Sequence, residues 1–330
     1  MFRCSSGIRI ILSLLAGFAT LSTLSTLSTR AAEPGAEATE PLRPLPQRIA
    51  IDRAKAKLGA KLFFDPQLSG DNSVSCASCH HFDHGGADYG AHSSGVAGQV
   101  GGINSPSIFN LEFDFRYNWN GAAETLYQHL DLPMRNPVVM ATDFPKIVEK
   151  LKQSGDYPQQ FGAAFREGLT EQTVKDALVE YERSLITPNC RFDKWLRGDQ
   201  KALTTQELEG YHLFKSLGCT SCHQGVNIGG NLFQKFGVMG DYFTDRGNVT
   251  KADFGRFNLT NEESDRFVFR VPSLRNVAMT APYFHDGSAT TLPEAVRVMA
   301  RYQLGRTINE DEISRIVAFL STLTGELQQP

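Results

Sequence analysis

The chain has 330 residues, of which 41% are hydrophobic and 21% charged, with a formal net charge of −3. That is enough for about two domains and a substantial core. It excludes a disordered polyelectrolyte, a collagen-like repeat and a small fold held only by disulfides, and the lack of a basic excess argues against nucleic-acid binding.

At the N-terminus, Arg3 and Arg9 lead into an apolar run from Ile10 to Ala19, and the segment ends at Thr29-Arg30-Ala31-Ala32. A positive start, a short apolar stretch and small residues near a cleavage point predict a cleavable signal peptide over residues 1–32 and a periplasmic protein. A run of ten residues is too short to cross a bilayer as a helix, which takes roughly 17–25. An uncleaved membrane anchor is the rival reading. Cleavage would remove Arg3, Arg9 and Arg30 and no acid, taking the net charge from −3 to −6. A mildly acidic exported protein suits a basic partner. Cys4 leaves with the signal, and Cys190 reads as a small buried hydrophobe.

Residues 33–47 are rich in proline and glycine, lack a helical period, and read as an extended lead-in. Ile51, Ala54, Leu58 and Leu62 then share one helix face, and that helix stops before Asp65-Pro66. Val174, Leu178, Tyr181 and Leu185 mark another, ending near Pro188. Thr204 with Glu207, Thr291 with Glu294, and Asn309 with Glu312 each open a further helix. Strand-like alternation is short, as from Phe267 to Val271. The fold class predicted is mostly α with long loops. Two of those loops, Gly85 to Ile108 and Gly225 to Phe243, need something to organise them, and a large buried cofactor would supply the missing core.

Each long loop follows a Cys-x-x-Cys-His run: Cys76-Ala77-Ser78-Cys79-His80 and Cys219-Thr220-Ser221-Cys222-His223. Two thiols three residues apart can each form a thioether to a haem vinyl group, and the next residue places an imidazole under the iron. A redox dithiol or one shared zinc site is the alternative. The runs begin 143 residues apart, far beyond zinc-ligand spacing. The runs therefore predict two covalently bound haems c, one in a domain at 48–188 and one in a domain at 189–330. Met299 lies on a helix with Leu292 and Val296, where it reads either as core packing or as a thioether ligand opposite histidine.

The chain also resembles the bacterial di-haem cytochrome c peroxidases over essentially its whole mature length. The resemblance rests on Leu58 to Asp65, both haem motifs, Gly102-Ile103-Asn104-Ser105-Pro106-Ser107, Trp119-Asn120-Gly121, Phe269 to Asn276 and Pro282 to Gly287. It implies two cytochrome c-like domains facing one another. The His80 haem would be the low-potential peroxide site and the His223 haem the high-potential entry point for electrons. Met299 falls at the family's distal ligand to that second haem, and Trp119 at its inter-haem tryptophan. Asn104, with the carbonyls of Thr280 and Pro282, matches its calcium site. His285 is expected to hydrogen-bond a haem propionate or to shape the domain interface.

Three departures from the family pattern matter. The histidine that closes the peroxide haem in many members is Val96 here, so this haem is expected to be open at rest, with His92 the substitute to consider. The distal glutamate aligns with Val139, which can neither take nor return a proton. A nearby glutamine is replaced by His129, the candidate acid–base group, with an unperturbed pKa of about 6.5; Asp131 and Asp143 are the neighbouring acids. The expected activity is reduction of hydrogen peroxide to water with electrons from a small periplasmic cytochrome c or cupredoxin, and the family precedent implies a homodimer. The alternatives are a di-haem oxidase of a protein substrate, a relative that uses tyrosine where Met299 stands, and a non-enzymatic electron carrier.

Overall fold

A computed structural model describes residues 40–328. The predicted signal peptide, Cys4 and the first part of the lead-in lie outside the described residues.

Among the described residues the chain is mostly helical. The helices are α1 (Arg53–Phe63), α2 (Leu126–Arg135), α3 (Phe144–Lys152), α4 (Tyr157–Ala164), α5 (Glu171–Ser184), α6 (Arg191–Leu196), α7 (Thr205–Ser216), α8 (Tyr242–Arg246), α9 (Phe257–Thr260), α10 (Leu292–Leu304) and α11 (Glu310–Ser321). A two-stranded antiparallel ribbon pairs β1 (Phe233–Lys235) with β2 (Val268–Arg270). Local chemistry sets many of the boundaries. Asp52 accepts from Ala54 and Lys55 N–H at the start of α1. Reciprocal caps open α7 at Thr204/Glu207 and α11 at Asn309/Glu312, satisfying amides that the helix leaves unpaired. No helix among the described residues is long and apolar enough to cross a membrane.

The buried apolar residues fall into separate clusters. One runs from Leu58 to Leu185 and is built on α1 crossing α5, with α2 to α4 around them. A second joins Leu42 to residues between Cys190 and Leu323 and is built on α7 crossing α11. Both crossings are closed by a glycine. A Cβ on Gly59 would collide with the Ala177 carbonyl of α5, and one on Gly210 with the Arg315 carbonyl of α11. A third, smaller cluster gathers Phe236, Tyr242, Phe243, Phe269 and Tyr302, with Trp119 and Met299 packed against it.

The two halves also share a sequence repeat at a constant offset of 166 positions. Pro106, Ser107, Asn110, Tyr117, Gly121, Ala123, Thr125 and Leu126 recur as Pro272, Ser273, Asn276, Tyr283, Gly287, Ala289, Thr291 and Leu292. The structure repeats with it. Asn110 and Asn276 both adopt left-handed backbone, at φ 64° and 60°. Tyr117 N–H donates to Ala123 O at 2.9 Å, and Tyr283 N–H to Ala289 O at 2.7 Å. Thr125 caps α2 and Thr291 caps α10.

Buried polar bonds tie the repeats together. Thr187 Oγ1 accepts from Asn110 Nδ2 and from Asn276 Nδ2, both at 2.9 Å, and Thr187 N–H donates to Asn110 Oδ1 at 2.9 Å. Arg270 pairs with Asp114 at 2.6 Å, and both side chains are buried. Around Leu42 and Leu45 the lead-in is packed rather than exposed. Leu42 bridges to Gly225, and Arg275 donates to Arg43 O at 2.8 Å and to Asp193 at 2.7 Å. Cys190 is buried beside that pair, its sulfur accepting from Asp193 N–H and Arg275, both at 3.3 Å. Burial pushes this thiol up to about 11, so it stays protonated and inert.

The glycine crossings give a direct test. Gly59→Ala and Gly210→Ala are each expected to lower unfolding stability by about 2–3 kcal/mol, because an added methyl must push the helices apart. Chemical denaturation of each variant measures this, and an unchanged midpoint would contradict the crossing geometry.

Candidate functional site

Each Cys-x-x-Cys-His run folds as one tight helical turn. Cys76–Ser78 and Cys219–Ser221 form the turns, and His80 and His223 N–H return to the first cysteine's carbonyl at 3.1 and 3.0 Å. Ser75 and Ser78 cap the first turn reciprocally. The second starts from Gly218, whose φ of 96° favours glycine. All four cysteines are half-buried and unbridged.

The histidines are oriented alike. His80 Nδ1–H donates to Gly86 O at 3.0 Å, and His223 Nδ1–H to Ile228 O at 3.4 Å. Burial lowers the proton affinity of His80 and pushes His223 down to about 4. Both rings are therefore neutral, with the Nε2 lone pair available. A ring nitrogen fixed to a backbone carbonyl is how metal-ligating histidines are held. Burial also pushes Cys76 and Cys219 up to about 12, keeping these thiols protonated. The donor set fits two covalently attached haems.

Around the first motif, the structure brings together residues that the sequence singled out. Val96 is buried, and its N–H donates to Val139 O at 3.0 Å. Two of the three positions where this chain departs from the family pattern are thus neighbours. His129, on α2, bonds through Nδ1 to Asn118 Oδ1 at 3.3 Å, and its ring lies 5.7 Å from Tyr117. Burial, with His80 and the Arg270 guanidinium nearby, pushes His129 down to about 3. Asp131 is taken up by Lys175 at 2.9 Å, and Asp143 caps α3.

Met299 sits on α10 against the third cluster, together with Trp119. Applying the 166-residue offset, its counterpart on α2 is Pro133. Trp119 is fixed at several points. Its Nε1–H donates to Asn104 O at 2.8 Å, its own carbonyl accepts from Arg270 N–H at 2.8 Å, and its ring meets His285 edge-on at 6.4 Å. Asn104 is buried. Its side-chain amide donates to Gly90 and Ala91 carbonyls at 3.2 and 3.4 Å, turning Oδ1 the other way. Its N–H donates to His285 O at 2.8 Å. Thr280 and Pro282 flank Ala281, whose carbonyl accepts from His84 Nε2–H at 2.6 Å.

Some residues here have no signal in a single pass along the chain. His84 reads as a loop residue but bridges to Ala281, 197 positions away. His285, which the resemblance did single out, is buried and donates through Nε2–H to Asp253, a partner the sequence did not indicate, at 2.7 Å. Arg246 pairs with both Asp253 and Asp286, so these carboxylates already have a fixed cation. Glu182 on α5 is buried with one carboxyl oxygen unpartnered, and burial pushes it up to about 8. Pro133 is found only by comparing the chain with itself.

Comparisons with known proteins agree with this architecture. The family model described as di-haem cytochrome c peroxidase matches residues 53–201. The chain is 44% identical over 287 residues to cytochrome c peroxidase Ccp of Escherichia coli, covering 87% of this chain and 61% of that one. It is 43% identical to cytochrome c551 peroxidase of Nitrosomonas europaea, covering 88% of this chain and 85% of that one. The chain thus spans less than two thirds of the Escherichia coli relative and most of the Nitrosomonas one. Among solved structures, a MauG-like protein associated with microbial copper homeostasis superposes with a TM-score of 0.75 at 28% identity, covering 87% of this chain and 94% of that one. The chain belongs to the di-haem cytochrome c peroxidase family.

Proposed function

We propose that this chain is a periplasmic peroxidase that reduces hydrogen peroxide to water at the first Cys-x-x-Cys-His site and takes electrons in at the second. The observation that carries this reading is the asymmetry between two equivalent helices: α10 offers the thioether of Met299 where α2 offers Pro133. Cys76 and Cys79 would attach one haem c with His80 beneath its iron, and Cys219 and Cys222 the other with His223. A haem so held would supply an iron able to bind a small oxidant and to exchange single electrons.

At the first site, none of Val96, Pro133 and Val139 carries a ligand or an acid. His129 takes the acid–base role. Asn118 Oδ1 accepts from Nδ1–H, which leaves Nε2 as a proton acceptor. Desolvation keeps this half-buried ring neutral at rest, so Nε2 is free to take a proton, as a weak base. At the second site, Met299 would supply a thioether to the haem that Cys219, Cys222 and His223 would hold. Trp119 is anchored to both Asn104 and Arg270, and this rigidity supports a place for it on the route between the sites. Asn104 Oδ1, with the carbonyls of Thr280 and Pro282, would hold a calcium ion, and oxygen donors of this kind suit it. Val238 and Met239, exposed at 50% and 61%, project from the loop packed on the end of α10 and favour a cytochrome c or cupredoxin docking there. The two haem-bearing domains at 48–188 and 189–330, and a homodimer of such chains, complete the reading.

The loss of an acid at Val139 favours a second reading, a non-enzymatic electron carrier. Stopped-flow oxidation of ferrocytochrome c with and without hydrogen peroxide separates the two. Peroxide-dependent oxidation with two donors consumed per peroxide supports the peroxidase, and oxidation indifferent to peroxide supports the carrier. Within the peroxidase reading, His129→Ala is expected to cut kcat/KM for peroxide about 100-fold or more, the scale of one lost acid–base group. An unchanged value would leave His129 as a packed side chain.

A further inference from the structure

The turn from Ser94 to Val100 stands beside the first motif, with Cys79 Sγ 4.0 Å from Ser94 O. Ser94 and Val100 pair antiparallel, and Gly95 N–H donates to Gln99 O at 2.8 Å. At its tip Ala97 has φ 53° and ψ 24°, a left-handed conformation that a Cβ disfavours. Residues 97–100 are exposed, so apolar packing does not hold the tip. Two hydrogen bonds from other segments do. Val96 N–H donates to Val139 O at 3.0 Å, and Ala97 N–H donates to Asp71 Oδ2 at 3.0 Å. Gly95 lies so close to Val138 and Val139 that a Cβ would collide with their backbone.

Asp71 is itself held in place. Its Oδ1 accepts from Ser73 N–H at 3.0 Å and from Ser73 Oγ–H at 2.6 Å. Lys150 Nζ gathers the same segment, donating to Gln67 O at 3.3 Å, Ser69 O at 2.5 Å, Gly70 O at 3.3 Å and Asn72 Oδ1 at 2.9 Å. The bonds from Ser73 draw the Asp71 carboxyl below its ordinary value, so it is charged at neutral pH. A charged acceptor makes the stronger kind of hydrogen bond.

We propose that Asp71 is a positioning residue for the peroxide site: its carboxylate latches the 94–100 turn, keeps Val96 seated on Val139, and so presets the shape of the side of the motif that the oxidant enters. This rests on the first motif being the peroxide site. The latch acts through the turn, without touching the reacting atoms.

The test uses the holoprotein and its Asp71→Ala and Asp71→Asn variants, the second keeping an oxygen acceptor without the charge. Hydrogen exchange over residues 93–101 is read by mass spectrometry, and the second-order rate with peroxide by stopped flow. In Asp71→Ala, exchange at Val96 and Ala97 is expected to rise tenfold or more, on the order of a lost charge-assisted bond, and the peroxide rate to fall about tenfold. Asp71→Asn should lie between, with reduction of the second haem by the donor unchanged in both variants. Unchanged exchange would overturn the latch, and faster exchange with an unchanged peroxide rate would overturn the positioning role. A wild-type protein inert to peroxide would refute the peroxidase reading, while the exchange arm still reports on the latch. Should Asp71→Ala fail to fold, Asp71→Asn and Ser73→Ala, which removes the hydroxyl that orients Asp71, must both shift exchange the same way.

Discussion

Much of this molecule depends on one small constraint, repeated: a histidine at the end of a Cys-x-x-Cys turn, tied through Nδ1 to a backbone carbonyl a few residues on. That bond fixes the tautomer and aims Nε2. It also dictates the path of the chain beyond each turn. The backbone must curl back to present Gly86 or Ile228 to the ring, which commits it to a long irregular loop in place of a helix. Such loops bury few apolar groups of their own. Instead they are tied down by side chains from distant segments, as His84 is to Ala281 and Trp119 to Asn104.

The rest of the design is a duplication made unequal. The turn–helix unit that starts at Asn110 recurs at Asn276, and Thr187 accepts a hydrogen bond from each asparagine. That shared partner lies at the junction between the α1/α5 and α7/α11 cores, so the two copies are aligned by a buried polar bond as well as by packing. Buried polar groups are costly unless satisfied, which makes such a junction specific. Against that common frame, a few substitutions separate the copies. Pro133 stands opposite Met299, and Trp119 opposite His285. Each pair exchanges a side chain that can do redox or ligand chemistry for one that cannot do the same chemistry.

The helices legible in the sequence are those with local signatures. The α5 stripe and the caps at Thr204, Thr291 and Asn309 appear where the pattern predicts them, whereas α1 buries Leu58 and Leu62 but starts only after Ile51 and leaves Ala54 exposed. Helices α2, α3 and α4 are less visible because they are eight to ten residues long and carry Pro133, Pro145 and Pro158, which weaken a periodic reading. The Cys-x-x-Cys-His runs are visible because the chemistry demands that spacing. The contact of Val96 with Val139, the Asp71 bond to Ala97 and the Thr187 junction join residues far apart in the chain, and no local pattern announces them. The 166-residue repeat is legible in principle, but its identities are scattered between non-identical neighbours and emerge only when the chain is compared with itself.

The central claim is that two like-built sites differ in what faces the second side of the iron. An electrochemical titration of the holoprotein, followed by optical and electron paramagnetic resonance spectra, tests it most directly. The account predicts two haems that titrate in well-separated one-electron steps, with high-spin iron at the lower-potential site in the oxidised protein. Two haems titrating together, or only low-spin iron in every redox state, would contradict it.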